Sequence, residues 1–344
     1  MATSTHSPKL RRYQDAYNAL DRSETVFITA HVGPDGDTLG SMLGLKHSLA
    51  YLFPNIKRVD CIIAGRMPDV FRFMPGIDEV ISIDKTPEKV LDRYDLAISV
   101  DCGALSRLGP AASLFQSARD TLNIDHHVSN DAFAHINIIE TDAAASGQVI
   151  VRILNMWQSP ISKEAAICLY VALLTDTGGF RHSSTTPEAF EVAAQLQRAG
   201  ANVTEIYYHI YETQPFCQSQ LIAYAVSKAQ RAVSNQVCYT TLTLTEIAQH
   251  QALGEHTEGI IDQLRCIEGV VVSALLKEME SGRTKISLRS NSDAVDVSAL
   301  LGTHFGGGGH RKAAGASVED TLDNTKAKLL RVLEEALNQL DSKV

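Results

Sequence analysis

The sequence predicts an α/β protein of two domains: an N-terminal domain on a parallel sheet and a smaller C-terminal α/β domain. Three observations carry this. From residue 25 to residue 174, short β-favouring runs alternate with segments of helical apolar spacing, the pattern of a parallel sheet covered by helices. At 344 residues the chain exceeds a typical single domain. Beyond Gly200 the pattern changes, first to helices without strands between them and then to a new set of alternating strands. The expected boundaries are 1–200 for the first domain, 201–230 for a helical linker and 231–344 for the second domain.

Taken in order, segment 8–20 has helical spacing with Ser7 as its cap, and 25–30 (TVFITA) is a buried strand. Segment 38–53 continues as a helix. Between strand and helix the turn HVGPDGDTLGS places His31, Asp35 and Asp37 within seven residues. Gly33, Pro34 and Gly36 bend the backbone tightly enough for these side chains to converge. Hard oxygen donors beside an imidazole point to a divalent metal. A helix cap at Asp37 and an Asx-turn at Asp35 would account for the same residues, and spacing alone leaves both readings open.

Segment 59–64 (VDCIIA) reads as a strand, 77–83 as a weaker one and 87–93 as a short helix. Strand 95–100 ends on Asp101, where open α/β sheets place their sites. The alternative is a cap for a helix around Arg107. Strand alternation turns Cys102 away from Asp101. Strand 121–124 runs into Asp125, His126 and His127. An acid beside paired histidines can fix ring orientation, leaving one ring for metal and one for substrate. A loop pair with satisfied hydrogen bonds is the alternative.

Segments 146–157 and 164–174 are helices, the second apolar on all sides, and it ends at Asp176 followed by Gly178 and Gly179. Helix 187–198 follows a cap at Thr185 or Thr186. In the second half, 203–212 and 215–228 look helical, 237–244 alternates as a strand, 260–265 looks helical, and 270–277 and 285–289 resemble paired strands. The run FGGGGHRKAAGA at 305–316 exposes backbone N–H groups that could cradle an anion, with a following helix adding a positive end and His310, Arg311 and Lys312 adding donors. A flexible loop is the alternative there. Helix 322–340 carries no chemistry.

The net charge of −9 argues against a protein that coats long nucleic acid through a basic surface. It is compatible with a small phosphorylated substrate, because bound cations reverse the field of an acidic site. Cys61, Cys102, Cys168, Cys217, Cys238 and Cys266 are scattered without a CxxC pair and read as small hydrophobes rather than thiolate ligands. The first residues, MATSTHSPKLRRYQDAY, lack an apolar signal core and no run reaches spanning length, so a reducing cytoplasm is expected.

Together, His31 to Ser41, Asp101, the Asp125 to His127 triplet and the Thr175 to Gly178 stretch resemble, in order, the motifs of the DHH phosphoesterase superfamily. The GGGGHRKAAG run is similar to the close of the type 1 DHH-associated C-terminal domain. In length and domain pairing the chain looks most like the short-RNA hydrolases that also dephosphorylate pAp. The resemblance implies two divalent cations, one held by His31, Asp35 and Asp101 and the other by Asp37, Asp101, His126 and Asp176. Asp101 would bridge them, and a set of carboxylates and imidazoles without thiolate suits manganese. It implies activation of a bridging hydroxide for in-line displacement at phosphorus, with Asp101 and His127 catalytic and Asp125 orienting the histidines. Asn130, Arg289, Gly307, Gly308, Gly309 and His310 would bind substrate in a cleft between the domains.

The expected substrates are nanoRNA, linear dinucleotides such as pApA or pGpG, and pAp, without a stable complex with long nucleic acid or a membrane. A homodimer through the first domain would be ordinary for a symmetric soluble protein, and the sequence leaves the oligomeric state open. Alternatives within the superfamily are a cyclic dinucleotide phosphodiesterase and a single-strand exonuclease. The exonuclease is disfavoured because the chain has no room for a further oligonucleotide-binding domain and lacks a basic, aromatic groove. The glycine-rich ending disfavours a pyrophosphatase. A non-catalytic nucleotide-binding regulator would have lost a metal ligand, and none is missing.

Overall fold

The structure, a computed structural model, describes residues 8–279 and 282–341. It divides into units Met1–Thr213 and Gln214–Val344, a division within the span expected as the linker. Ser7, the expected cap of the first helix, lies outside the described residues.

The first unit runs α1 (Pro8–Asp21), β1 (Thr25–Thr29), α2 (Gly36–Leu52), β2 (Arg58–Ile63), β3 (Ile81–Ser82), β4 (Leu96–Val100), α3 (Ala111–Ser117), β5 (Asp120–Asp125) and β6 (Ile136–Ile139). It continues through α4 (Ser146–Met156), α5 (Lys163–Asp176), α6 (Pro187–Arg198) and α7 (Val203–Tyr207), the last extended by a π-helical turn over Tyr208–Glu212. Its six strands form a parallel sheet in the order β3-β2-β1-β4-β5-β6. The strand order reverses between β1 and β4, and such a switch opens a crevice at the strands' carboxyl ends. Apolar residues cover both faces. Val26 and Ile28 of β1 pack into the large core with α2, α4 and α5, while Phe27 points to a smaller cluster with Tyr94 and Phe115.

Segment 77–83 differs from its expected strand. Gly76 at φ 79° turns the chain into a 3₁₀ turn at Ile77–Glu79, and only Ile81 and Ser82 pair with the sheet. Segment 87–93 is likewise reduced to a 3₁₀ turn at Pro87–Lys89. β6 and α3 escape the sequence reading, because the first is a short half-buried edge strand and the second is two turns long.

Helices α2 and α5 meet across Gly36, Gly40 and Gly44, one glycine per turn. A Cβ added at Gly40 would stand 2.4 Å from the carbonyl oxygen of Cys168, so only the absence of a side chain permits this approach. The contact sets where the start of α2 lies relative to the end of α5.

The second unit comprises α8 (Phe216–Ser227), β7 (Gln230–Ala232), β8 (Val237–Leu242), α9 (Leu244–Gln249), α10 (Ile260–Arg265), β9 (Val272–Glu278), β10 (Thr284–Ser290), α11 (Val297–Phe305), β11 (Gly308–His310), β12 (Ala313–Val318) and α12 (Leu322–Asp341). Its mixed sheet has the order β11-β12-β10-β9-β8-β7, with β8 and β9 parallel and the other pairs antiparallel. Helices α11 and α12 cover one face through Leu301, Leu329 and Leu333. The glycine run departs from expectation. It follows α11, which Gly306 closes at φ 66°, and leads into a hairpin of β11 and β12 instead of a helix. No helix start adds positive charge there.

Candidate metal centre

Every ligand candidate in the first unit sits on a strand end, a helix start or a helix end at the mouth of the sheet crevice. His31 follows β1 and is 7% exposed. Asp35 is the N-cap of α2, its Oδ1 accepting the Thr38 N–H at 3.0 Å, while its Oδ2 stands 3.8 Å from His31 Nε2. Capping and facing the histidine are therefore compatible tasks for one carboxylate. The expected alternative cap, Asp37, lies instead inside the first turn, 2% exposed.

Asp37 is met by three donors: Ser41 Oγ at 2.9 Å, the Ser146 N–H at 2.7 Å and the Gly147 N–H at 3.0 Å. The last two belong to the start of α4, whose positive end suits an anion. Asp101, directly after β4, adopts φ 51° and so breaks the pleat. Its carboxylate accepts from Thr38 Oγ1 at 2.9 Å and Ser146 Oγ at 3.2 Å. Cys102 is buried in the cluster with Phe27 and Tyr94 on the far face.

His126 donates through Nδ1 to Ala143 O at 3.3 Å, which aims Nε2 at three carboxylates: Asp176 at 3.5 Å, Asp101 at 3.7 Å and Asp37 at 3.8 Å. His127 Nδ1 is held by Asp125 Oδ1 at 2.8 Å. Asn130 donates to Asp125 Oδ2 at 2.5 Å and Asn123 Oδ1 at 2.8 Å, and its own Oδ1 accepts the Ala132 N–H at 2.7 Å. Both ends of this amide are thus engaged with protein, which makes Asn130 a holder of Asp125.

Three overlapping groups result, each with ligand atoms within 4.8 Å of one another: His31, Asp35 and Asp101; Asp37, His126 and Asp176; and Asp101, His126 and His127. Asp101 faces both of the first two groups.

The electrostatics fit a cation. Burial, then the charges of Asp101 and Asp176, push the Asp37 carboxyl well above the usual carboxylate range. Burial and Asp101 do the same to Asp176. Burial lowers the His126 pKa against the pull of Asp101, which favours the neutral ring with its Nε2 lone pair toward the crowded carboxylates. Both ring nitrogens of His31 face acceptors, Val32 O at 3.0 Å and Thr38 Oγ1 at 2.9 Å, and the hydrogen bond and charge of Asp101 raise its pKa against burial. Asp101 itself is lowered, because the three neighbouring histidines outweigh its burial. Burial would lower His127, but the Asp125 hydrogen bond raises it to about 9. Cations would relieve this repulsion directly. The donors are hard oxygens and imidazoles with no thiolate, a set suited to manganese or magnesium more than to zinc.

Thr38, Ser41, Ser146 and Gly147 escape the sequence reading. Their only signal is small polar residues at the buried starts of otherwise apolar helices.

In the second unit, Arg289 on β10 and His310 on β11 both pair with Ala313 of β12, so the two side chains share a sheet face. Gly307 and Gly309 lie against β12, where an added Cβ would meet Gly315 O at 2.4 Å and Ala313 O at 2.5 Å. Gly308, Gly309 and His310 form the exposed edge strand.

Comparison with known proteins adds context. The DHH family N-terminal domain matches residues 25–173, and the DHHA1 domain matches residues 234–340. The bifunctional oligoribonuclease and PAP phosphatase NrnA of Thermus thermophilus is 29% identical over 96% of this chain and 95% of its own length. The protein of the same name from Mycoplasma genitalium is 28% identical over 88% of this chain and 92% of its own. The crystal structure of an exopolyphosphatase-related protein from Bacteroides fragilis is 27% identical, with a TM-score of 0.87 and 98% of each chain covered. No described helix is long and apolar enough to cross a membrane.

Proposed function

The chain belongs to the DHH family, carrying that family's N-terminal domain followed by a DHHA1 domain, and from that premise we propose a metal-dependent phosphoesterase. Its substrates in this reading are short oligoribonucleotides and linear dinucleotides such as pApA or pGpG, cut to mononucleotides, and pAp, which loses a phosphate. The observation that carries the reading is the convergence of His31, Asp35, Asp37, Asp101, His126 and Asp176 into two groups joined at Asp101. Similarity along nearly the whole length to relatives named oligoribonuclease and PAP phosphatase supports the substrate choice.

Two divalent cations, manganese for preference, would lower the pKa of water and take up charge on the phosphoryl oxygens. The chain's own residues supply the rest. Asp125 grips His127 through Nδ1 and raises its pKa to about 9, so the ring is cationic at neutral pH and its Nε2–H is the group assigned to a phosphate oxygen. Asn130 fixes Asp125 and so acts through it. Ser146, Gly147, Thr38 and Ser41 hold the carboxylates in place, so little reorganisation accompanies loading. Arg289, His310 and the exposed edge strand Gly308–His310 are assigned to the substrate's far phosphate or base, where a charged donor fork suits a terminal phosphate, whereas the Gly307 N–H, expected to join them, is donated to Leu301 O at 3.0 Å.

The test is a product time course with manganese-loaded protein on pAp, pApA, a cyclic dinucleotide and an end-labelled long RNA, with a chelator control. Fast chelator-sensitive turnover of the first two alone is the expected result. Ladders from the long strand or opening of the cyclic substrate would overturn the substrate assignment, and absence of any turnover would overturn the enzyme reading.

A further inference from the structure

The turn that delivers Asp176 also carries an aromatic surface that the metal chemistry does not use. After α5 the chain passes through three consecutive left-handed residues, Gly178 at φ 58°, Gly179 at 71° and Phe180 at 64°. For phenylalanine this is an uncommon conformation, and its ring is held by stacking on Phe190 at 5.2 Å and 22°. The rings of Tyr207 and Tyr211 lie against Gly179, where an added Cβ would stand 3.9 Å and 3.7 Å from their Cε2 atoms.

These two rings sit 4.9 Å apart, tilted by 51°, and each residue is 40% exposed. Their backbone is fixed from two sides. The Tyr211 hydroxyl donates to Leu174 O at 3.3 Å, within the last turn before Asp176. His209, in the π-helical turn, stacks on Phe73 at 4.4 Å and 11°. π-helical turns recur at functional sites, where they re-aim side chains. On the same turn as Asp176, Arg181 is anchored by Nε to Gly178 O at 2.7 Å and its side chain is exposed.

We propose that Tyr207 and Tyr211 are a stacking platform for one nucleobase of the substrate, with Arg181 as the adjoining cation. The proposal rests on the phosphoesterase reading above and adds what that reading lacks, a base contact within the first unit. Aromatic faces accept any base, and Arg181, anchored to Gly178 next to the glycine on which the rings pack, suits the nucleotide's charge. Because the platform packs on the ligand-bearing turn, its spacing from Asp176 is set by a rigid segment.

The experiment compares pApA with its two analogues that each lack one base, using the manganese-loaded protein and the variants Tyr207→Leu, Tyr211→Leu and Tyr207→Trp. In parallel, a 2-aminopurine dinucleotide is titrated into chelator-treated protein and its fluorescence quench on stacking is followed. The expected result is that the wild type prefers the intact dinucleotide over one analogue. Each leucine variant should then shrink that preference by about 5- to 100-fold, mainly through KM, and weaken the quench, while tryptophan restores both. Leucine variants that keep the wild-type preference and quench overturn the proposal. So do variants that keep the preference but lose a dimer in sedimentation, which would make the surface an interface between copies. A wild type that quenches the probe without hydrolysing any substrate supports the platform and overturns the enzyme reading. Hydrolysis without base preference or quench does the reverse.

Discussion

Substituting Gly40 by alanine should separate stability from function. α2 carries Asp35 and Asp37 at its start and α5 carries Asp176 at its end, and the two helices touch at Gly40. The new Cβ would meet Cys168 O at 2.4 Å and Ala172 N at 2.7 Å, both backbone atoms that cannot rotate away. Ordinary contact begins at 3.4 Å, so the helices must part by about 1 Å. Overpacking of this kind costs about 1–3 kcal/mol, and the better helix propensity of alanine returns about 1 kcal/mol. The net loss of about 2 kcal/mol or less leaves the unit folded, with Tm lowered by roughly 2–8 °C. A misplacement of about 1 Å between the ligands, by contrast, can cost on the order of 100-fold in turnover. Calorimetric titration with manganese and hydrolysis of pApA read the function, and thermal unfolding reads the fold. Gly44→Ala is the control, because the atoms nearest its Cβ belong to the Leu169 side chain, from 2.5 Å, which can repack. Wild-type metal affinity and turnover in Gly40→Ala, or equal damage in Gly44→Ala, would refute the reasoning.

Asp101→Ala should abolish hydrolysis and manganese binding together in a protein that keeps its circular dichroism, since the His31–Asp35 group loses a member and His126, 3.7 Å away, loses the carboxylate that joins its group to the first. Asp176→Asn removes a charge from a repelling trio, so the variant should melt above the wild type in chelator and gain less from manganese; melting curves with and without metal decide this. Asn130→Ala should lower kcat about 10- to 100-fold with a smaller change in KM, because it frees Asp125 and through it His127. Glu246, against burial, is pulled to about 2 by Lys228, the Thr243 N–H and Tyr224. Its stabilisation is therefore complete above pH 4.5 and fades as the pH falls toward 2, so the stability gap between wild type and Glu246→Gln, about 1 kcal/mol for an ion pair screened by solvent, should close over that range in urea titrations.

The ligand-bearing segments were legible because each joins a short, continuously buried β-favouring run to a chemically unusual cluster: TVFITA before HVGPDGD, DLAISV before Asp101, TLNI before DHH. The parallel sheet was legible for the same reason, as alternation of buried strands with long helices needs only local pattern. The weaker elements were not. Segment 77–83 reads as a strand through its isoleucines and valine, but Gly76 and the 3₁₀ turn at Ile77–Glu79 override most of it, and β11 and β12 are glycine- and alanine-rich strands poor in the β-branched residues that mark a strand. The supporting contacts were hidden more deeply. Ser146 is separated from Asp37 by 109 positions and Tyr207 from Gly179 by 28, and neither pair leaves a mark in spacing.

What holds the acidic centre together before any cation enters is an uneven distribution of donors. Asp37 receives two N–H groups from the start of α4 and a hydroxyl from Ser41, and Asp101 receives hydroxyls from Thr38 and Ser146. Ser146 therefore serves two ligands at once, through its amide and its side chain. Asp176 is held differently, by the turn behind it: Gly178 sits beneath the His182 ring, Gly179 against Tyr207 and Tyr211, and Phe180 on Phe190. Its carboxylate is also the more exposed, at 27% against 2% for Asp37 and 3% for Asp101. The centre thus combines three carboxylates that accept hydrogen bonds, Asp35, Asp37 and Asp101, with a fourth, Asp176, placed by its backbone turn and facing His126 at 3.5 Å. It follows that Asp176 is the one best able to adjust as charge enters the site, and that the residues packed on its turn govern how far it can move.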